Sequence, residues 1–388
     1  MSIGTVSPDD VSRAPHAFDP SARLWQGVFS ELIRSLRAHT IFIGIVFAHV
    51  LAALVLPPLF GVSIPYSPWT YVTTIAVLTG VAVGVFLLFY AAAVAIAVRP
   101  KRLWPYLRAE LAAKVLTVER LCLALPTLVV FPIFAATFSY FKTTIPAFHA
   151  FAWDQRFAEW DRLLHGGHDP WSLLQPVLGY PIVTALLSVG YRLWFGVTYG
   201  VVLWMVIDTR NKRLRMRYLL TFVLIWILLG NLAGTLLSSA GPAFYGRVTG
   251  LADPFTPLMD YLKYASAHAA VPALDIQDML WSWYSSGTIV PGAGISAMPS
   301  LHVAVAFSFF LLGCSVSRKV ALCGGLYAGA IMLASVHLAW HYAIDGYVSM
   351  LCTWLIWLGV GWLLKRPRVA WLLWGDSRPA TGENATSP

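Results

Sequence analysis

Two short stretches in the C-terminal third gather histidine, aspartate and serine beside apolar sequence. In the first, Ala334-Ser335-Val336-His337-Leu338-Ala339-Trp340-His341-Tyr342-Ala343-Ile344-Asp345, the residues His337, His341 and Asp345 are spaced four and four. On a continuous helix they form one stripe, with His341 and Asp345 in hydrogen-bonding range. A carboxylate on one imidazole nitrogen fixes the tautomer and leaves the other nitrogen as a base or a nucleophile. The plainer alternative is a His–Asp pair that pins two helix ends.

The second stretch, Gly294-Ile295-Ser296-Ala297-Met298-Pro299-Ser300-Leu301-His302, runs directly into an apolar segment. Pro299 and Ser300 read as a helix start with Ser300 as N-cap, which puts His302 in the first turn. A helix N-terminus carries unpaired N–H groups and a partial positive charge, so it suits an anion such as phosphate. An ordinary capped helix with an interfacial histidine is the alternative here.

Together these residues resemble a family. "MPSLH", ending at His302, and "HYAID", beginning at His341, are similar to the second and third signature motifs of the type-2 phosphatidic acid phosphatase superfamily. The PSLH form resembles the branch that contains the inositol phosphorylceramide synthases, which are inositolphosphotransferases. The tract "WDRLLHGGHDPW", Trp160 to Trp171, resembles an external segment common in that branch. The resemblance covers roughly 150–350. It implies His341 as the nucleophile that takes the phosphoryl group, Asp345 as its orienting acid and His302 as the proton donor to the leaving group. Ser300 and nearby backbone N–H groups would hold phosphate oxygens. It implies no cofactor, and no magnesium, because histidines and cations handle the charge.

Two positions depart from that pattern. The superfamily's third motif usually has Arg six residues before the nucleophilic His, where this chain has Ser335. The first motif, a Lys seven residues before Arg-Pro, is absent, and "SSAGPAFYGRV", Ser238 to Val248, stands in its place. The phosphate-binding cation must then come from elsewhere. The candidates are Arg247, Lys263, Lys142, Arg156, Arg162 and Arg192, with Arg247 preferred. His337 either hydrogen-bonds substrate or caps a span, and His149, His165 and His168 read as interfacial.

The elements that position these residues are set by the solvent. Of the 388 residues 58% are hydrophobic and 12% charged, against roughly 45–50% and about 25% in soluble proteins. That apolar excess rules against a soluble enzyme, a disordered chain, a coiled coil and a disulfide scaffold. Cys122, Cys314, Cys323 and Cys352 sit in apolar runs without metal-site spacing. The first forty residues are too polar and too long for a signal peptide. Eight stretches qualify as membrane spans: about 41–60, 71–98, 118–140, 181–206, 218–239, 301–316, 320–338 and 343–364. The sixth is short and depends on burial of its outer end in protein. Ionisable residues at such depths are costly and mark function by default. Segments 24–37 and 101–116 read as amphipathic helices on the membrane surface.

Most of the 27 basic residues fall in the tails and in the loops that follow the even-numbered spans. They include Arg210, Lys212, Arg213, Arg215 and Arg217 in the fourth-to-fifth loop and Arg318 and Lys319 in the sixth-to-seventh turn. The other loops are acidic instead. Basic loops are cytoplasmic, so both termini are expected inside and the histidines at the outer face, be it periplasmic, extracellular or lumenal. The net charge of +9 is then topology, not a nucleic-acid patch. The two long outer segments, about 141–180 and 240–300, are rich in Gly, Pro, Trp, Tyr and His.

The expected fold class is therefore an all-α polytopic membrane helix bundle. Its expected parts are 1–117 (tail, two spans and surface helices), 118–364 (a six-helix catalytic membrane domain) and 365–388 (a cytoplasmic tail). The expected function is a lipid phosphotransferase, with a phospholipid donor and a lipid hydroxyl acceptor such as ceramide. A lipid phosphate phosphatase shares the mechanism. A zinc-dependent hydrolase of the alkaline ceramidase type, with metal on His337, His341, His302 and Asp345, is more remote. A transporter would need polar residues along a mid-membrane path and an internal repeat.

Overall fold

A computed structural model of the chain describes residues 20–62, 65–114, 116–287 and 294–375. The terminal stretches, including Arg378, and Val115 of the second surface helix lie outside the described residues. Among the described residues the chain is helical, with no strand. Seven helices are long and apolar enough to cross a membrane, and the protein is an integral multi-pass membrane protein.

The chain begins with α1 (Pro20–Ala38), which turns Trp25, Phe29, Ile33 and Leu36 outward as an apolar stripe. That stripe suits the headgroup boundary rather than a packed soluble helix. The spans α2 (Thr40–Leu59) and α3 (Val72–Ala97) follow, then the short surface helix α4 (Leu103–Lys114). The third span, α5 (Val118–Phe148), is longer than its hydropathy suggests. Thr117 caps it by accepting from the Arg120 N–H, and it runs on past Lys142 into the outer segment. The fourth is two helices, α8 (Pro181–Arg192) and α9 (Trp194–Ile207), joined at Leu193. Before them the outer segment forms α6 (Asp154–Leu164) and α7 (Pro170–Leu178).

Asn211 caps the fifth span, α10 (Lys212–Leu236), whose stretch Ile225–Ala233 is wound as a π-helix. Arg215, read above with the basic loop, is buried instead. Its guanidinium donates to His39 Nε2 at 2.9 Å, the Leu123 carbonyl at 3.1 Å and the Val206 carbonyl at 3.3 Å. The second outer segment also folds rather than looping. It holds α11 (Tyr245–Thr249), α12 (Thr256–His268) and α13 (Pro272–Ser285). Prolines at the first turns of α7, α8, α12 and α13 begin these helices where no N–H partner is needed.

The last part is α14 (Leu301–Cys314), α15 (Arg318–His337), α16 (Ala343–Lys365) and the terminal α17 (Pro367–Trp374). At 14 residues α14 rises only about 21 Å, short of a hydrocarbon core about 30 Å thick. The non-helical residues before it, Ile295 to Ser300, are largely buried, and the Ala297 N–H donates to the Ser239 carbonyl at 2.9 Å. Irregular backbone at such depth survives where protein covers it. The short sixth span is completed by this buried strap.

α14 and α15 form a close hairpin. A Cβ at Gly313 would stand 2.7 Å from the Ala321 Cα, and one at Gly324 would stand 2.9 Å from the Phe309 carbonyl carbon. Small residues let helix backbones approach in this way in a membrane. Gly324→Ala is therefore expected to destabilise the fold by about 1–3 kcal/mol through overpacking. Gly329→Ala, on the same helix with open space at its Cβ, holds or raises stability. Thermal unfolding of the two variants in detergent separates them.

Candidate active site

The stripe expected for His337, His341 and Asp345 does not form, because the helix breaks inside it. α15 ends at His337, and α16 starts at Ala343. Between them Ala339 takes a left-handed conformation, φ 59°, which is unfavourable for a residue with a Cβ. The Trp340 and His341 N–H groups both donate to the Ser335 carbonyl, at 3.0 and 3.1 Å, and fold the segment back. His337 is thus turned away from His341. Its Nε2 pairs with the Thr184 hydroxyl at 2.9 Å, and its ring lies against Tyr261.

The His341–Asp345 contact survives the break for a different reason. Tyr342 is the N-cap of α16, and Asp345 sits three residues into the cap box. The Asp345 Oδ2 atom accepts from the Tyr342 N–H at 3.1 Å and from His341 Nδ1 at 3.2 Å. His341 Nδ1 then carries the proton, and Nε2 is left with its lone pair. Burial, reinforced by the Lys142 ammonium and opposed by the Ala297 carbonyl, pushes the His341 imidazole well below the usual range. The ring is neutral at physiological pH, as a nucleophile requires.

Ser300 caps α14 as its sequence indicates, its hydroxyl accepting from the Val303 N–H at 3.4 Å. His302, in the first turn, lies against Tyr191, stacked, and Trp194, tilted, with each ring centroid 4.3 Å from its own. The Trp194 indole N–H donates to the His302 carbonyl at 3.0 Å, which ties α9 to the same turn. The His302 and His341 rings face each other across 6.4 Å.

Both imidazoles line a cavity of about 260 Å³. Its walls include Tyr191, Phe195, Phe244, Ile276, Leu280 and Trp283. Two cations reach it, Lys142 from α5 and Arg192 from the end of α8. Lys142 forms no ion pair or hydrogen bond among the described residues, and Gly294 packs on its carbonyl so closely that no Cβ would fit. The preferred candidate Arg247 is elsewhere: half-exposed, over the Trp281 ring at 5.1 Å and 3.8 Å from Asp278. Lys263 is paired with Asp260 at 3.2 Å on the surface. Arg162 bonds Asp169 at 2.7 Å, and Arg156 lies over Trp153. Neither Arg247 nor Lys263 lines the cavity, because each is held by a neighbour on the outer helices. Among the described residues no group of three or more His, Cys, Asp or Glu side chains is placed to hold a metal, and the zinc set fails at His337.

Two residues with no role in the sequence reading also touch this region. Asp154 and Asp161 of α6 are buried and accept from backbone N–H groups around His341. The readable signal was their spacing of seven, which puts both acids on the apolar face with Phe157 and Ala158.

Comparison with known proteins agrees with the geometry. No curated protein and no solved structure matches the chain. A family model described as the PAP2 superfamily matches residues 155–359, more than half of the chain and a span that holds His302, His341 and Asp345 but not Lys142. The chain therefore belongs to the PAP2 superfamily and is an enzyme of its phosphatase and phosphotransferase chemistry.

Proposed function

We propose that this enzyme moves a phosphorylated headgroup, such as phosphoinositol, from a phospholipid to a lipid hydroxyl such as that of ceramide. The observation that carries the reading is His341 held on Asp345 at 3.2 Å, with the His302 ring 6.4 Å away across one apolar-walled cavity. His341 Nε2 attacks phosphorus, an N–P bond forms, and the P–O bond to the diacylglycerol oxygen breaks. His302 gives that oxygen its proton. In the second step His302 takes the proton of the acceptor hydroxyl, whose oxygen attacks phosphorus as the N–P bond breaks. Proton and phosphoryl group both balance over the two steps.

Lys142, with Arg192 at the cavity wall, supplies the cation that the departures at Ser335 and in the first motif remove. A fixed ammonium in an apolar cavity stabilises charge on the phosphoryl oxygens far better than in water. The Ser300 hydroxyl accepts from the Val303 N–H at 3.4 Å and keeps its own proton to donate to a phosphate oxygen. The loop-charge bias puts the cavity at the outer face, with both termini cytoplasmic. Membership of the superfamily supports the second reading, in which water takes the place of the lipid hydroxyl and the enzyme is a phosphatase.

Three variants test the site. His341→Ala is expected to lower turnover by about four orders of magnitude in a protein that still inserts and folds, and full activity in it ends the phosphohistidine assignment. Lys142→Ala should lose about a hundredfold or more in kcat/KM, while Arg247→Ala stays within about twofold. The reverse ranking returns the clamp to Arg247. Purified enzyme given labelled phospholipid, with and without ceramide, reports the outcome of the second step. A new labelled lipid that depends on ceramide supports transfer, and release of a water-soluble phosphate supports the phosphatase.

A further inference from the structure

The outer helix α6 lies against the start of α16 and carries two buried carboxylates two turns apart. Asp161 accepts from the Ala343 N–H at 2.7 Å and the Ile344 N–H at 2.8 Å. Asp154 accepts from the Ala240 N–H at 2.9 Å, the Gly241 N–H at 2.8 Å and the Tyr342 hydroxyl at 2.8 Å. The first N–H groups of a helix have no partner within it. In α16 the Tyr342 N–H goes to Asp345, and the next two go to Asp161. Ala343 is buried and Ile344 half-buried, so Asp161 takes the place that water fills at an exposed helix start.

We propose that Asp161 is a positioning residue for the reaction. By holding the Ala343 and Ile344 N–H groups it fixes the first turn of α16, and with it the Asp345 carboxylate against His341. This rests on the reading of His341 as the nucleophile. Asp161 touches neither the cavity nor His341, so its effect passes through Asp345. Misplacing a reacting group by about 1 Å is enough to cost about a hundredfold in rate.

The protonation of Asp161 adds a signature. Burial pushes its carboxyl up to about 6, against the pull of the Ile344 and Ala343 N–H groups. The groups that face it are Asp345 and Tyr347 from α16 and His165 from its own helix, of which Asp345 raises it further and His165 opposes. Above pH 6 the carboxylate accepts both N–H groups. Below it the protonated acid gives up acceptor strength, so turnover declines as pH falls through 6.

The test is kcat and KM against pH for the full-length enzyme in lipid. Asp161→Asn should lower kcat about ten- to a hundredfold with KM within about twofold, and should flatten the acid limb near pH 6. Ala343→Pro removes one donor without touching the carboxylate and should lower kcat about three- to tenfold. Proline is accepted at the first helical position, and Tyr342, at φ −64° and ψ 153°, is already extended as the residue before proline must be. In an Asp345→Asn background, Asp161→Asn should add nothing. If His341→Ala is inactive while Asp161→Asn and Ala343→Pro keep full kcat and the acid limb, Asp161 has no positioning role. A fall in yield with unchanged kcat per folded molecule overturns it equally. Activity in His341→Ala instead overturns the nucleophile reading beneath it.

Discussion

The Oδ2 atom of Asp345 accepts two hydrogen bonds, one from the Tyr342 N–H and one from His341 Nδ1. The first closes the N-terminus of α16, and the second chooses the tautomer of the imidazole. Helix start and imidazole tautomer are therefore set by one atom, and neither can shift without the other. In a buried site such bonds are electrostatically stronger than in water, and leaving either donor unpaired is costly. The surrounding elements serve this turn. α6 approaches it from outside through Asp154 and Asp161, and the buried strap before α14 covers it opposite. The Ser300 N–H of that strap donates to the Asp345 carbonyl at 3.4 Å, which joins the two motifs directly.

A bilayer restricts where charge can be placed, and the distribution of cations follows from that. Among the described residues most lysines and arginines stand at one end of the bundle, where carbonyls, acids and rings engage them, as with Arg217 on the Trp357 carbonyl, Lys212 beside Glu119 and Arg366 over Trp362. At the other end Arg162 and Lys263 are each neutralised by an aspartate. Lys142 differs because it extends from the last turns of a membrane-spanning helix into a cavity rather than from a loop into water. An unpaired ammonium there is expensive without an anion and valuable with one. On the proposed chemistry the substrate supplies the counter-charge that the protein withholds.

Local features were legible in the sequence, and contacts between distant segments were not. The spans follow from hydropathy alone. Ser300 as N-cap, and the reach from His341 to Asp345, depend on neighbours within four residues. Even there the reason differs: the reach is made by a capping box after a break, not by a continuous helix. His337 ends α15, one of the two places open to it, but the stripe with His341 fails because no sequence rule marks Ala339, an ordinary helix former, as the left-handed residue after it. The proposal of Lys142 over Arg247 rests on which side chain reaches the cavity, and Arg247 lies instead over Trp281 and near Asp278. Asp161 meets Ala343 across 182 residues. Only the position of an acid on an apolar helix face hinted at it.

On the proposed chemistry, hydrolysis and transfer differ only in which hydroxyl reaches the phosphorylated imidazole. A cavity of about 260 Å³ lies below the range of about 300–1,000 Å³ of pockets that enclose drug-sized ligands. In the proposed exchange the leaving and the attacking oxygen use one in-line position opposite His341 Nε2, beside His302. On the proposed chemistry the first product must leave before the acceptor arrives, and His341 keeps the phosphoryl group covalently during that exchange. Selection against water then falls to the walls rather than to the histidines. Phe195, exposed on a membrane-spanning helix and also lining the cavity, presents an apolar edge to a lipid hydroxyl and offers water no hydrogen bond. On the proposed chemistry the nucleophile and proton carrier are common to both outcomes, so hydration of this wall during product exchange is what divides a transferase from a phosphatase.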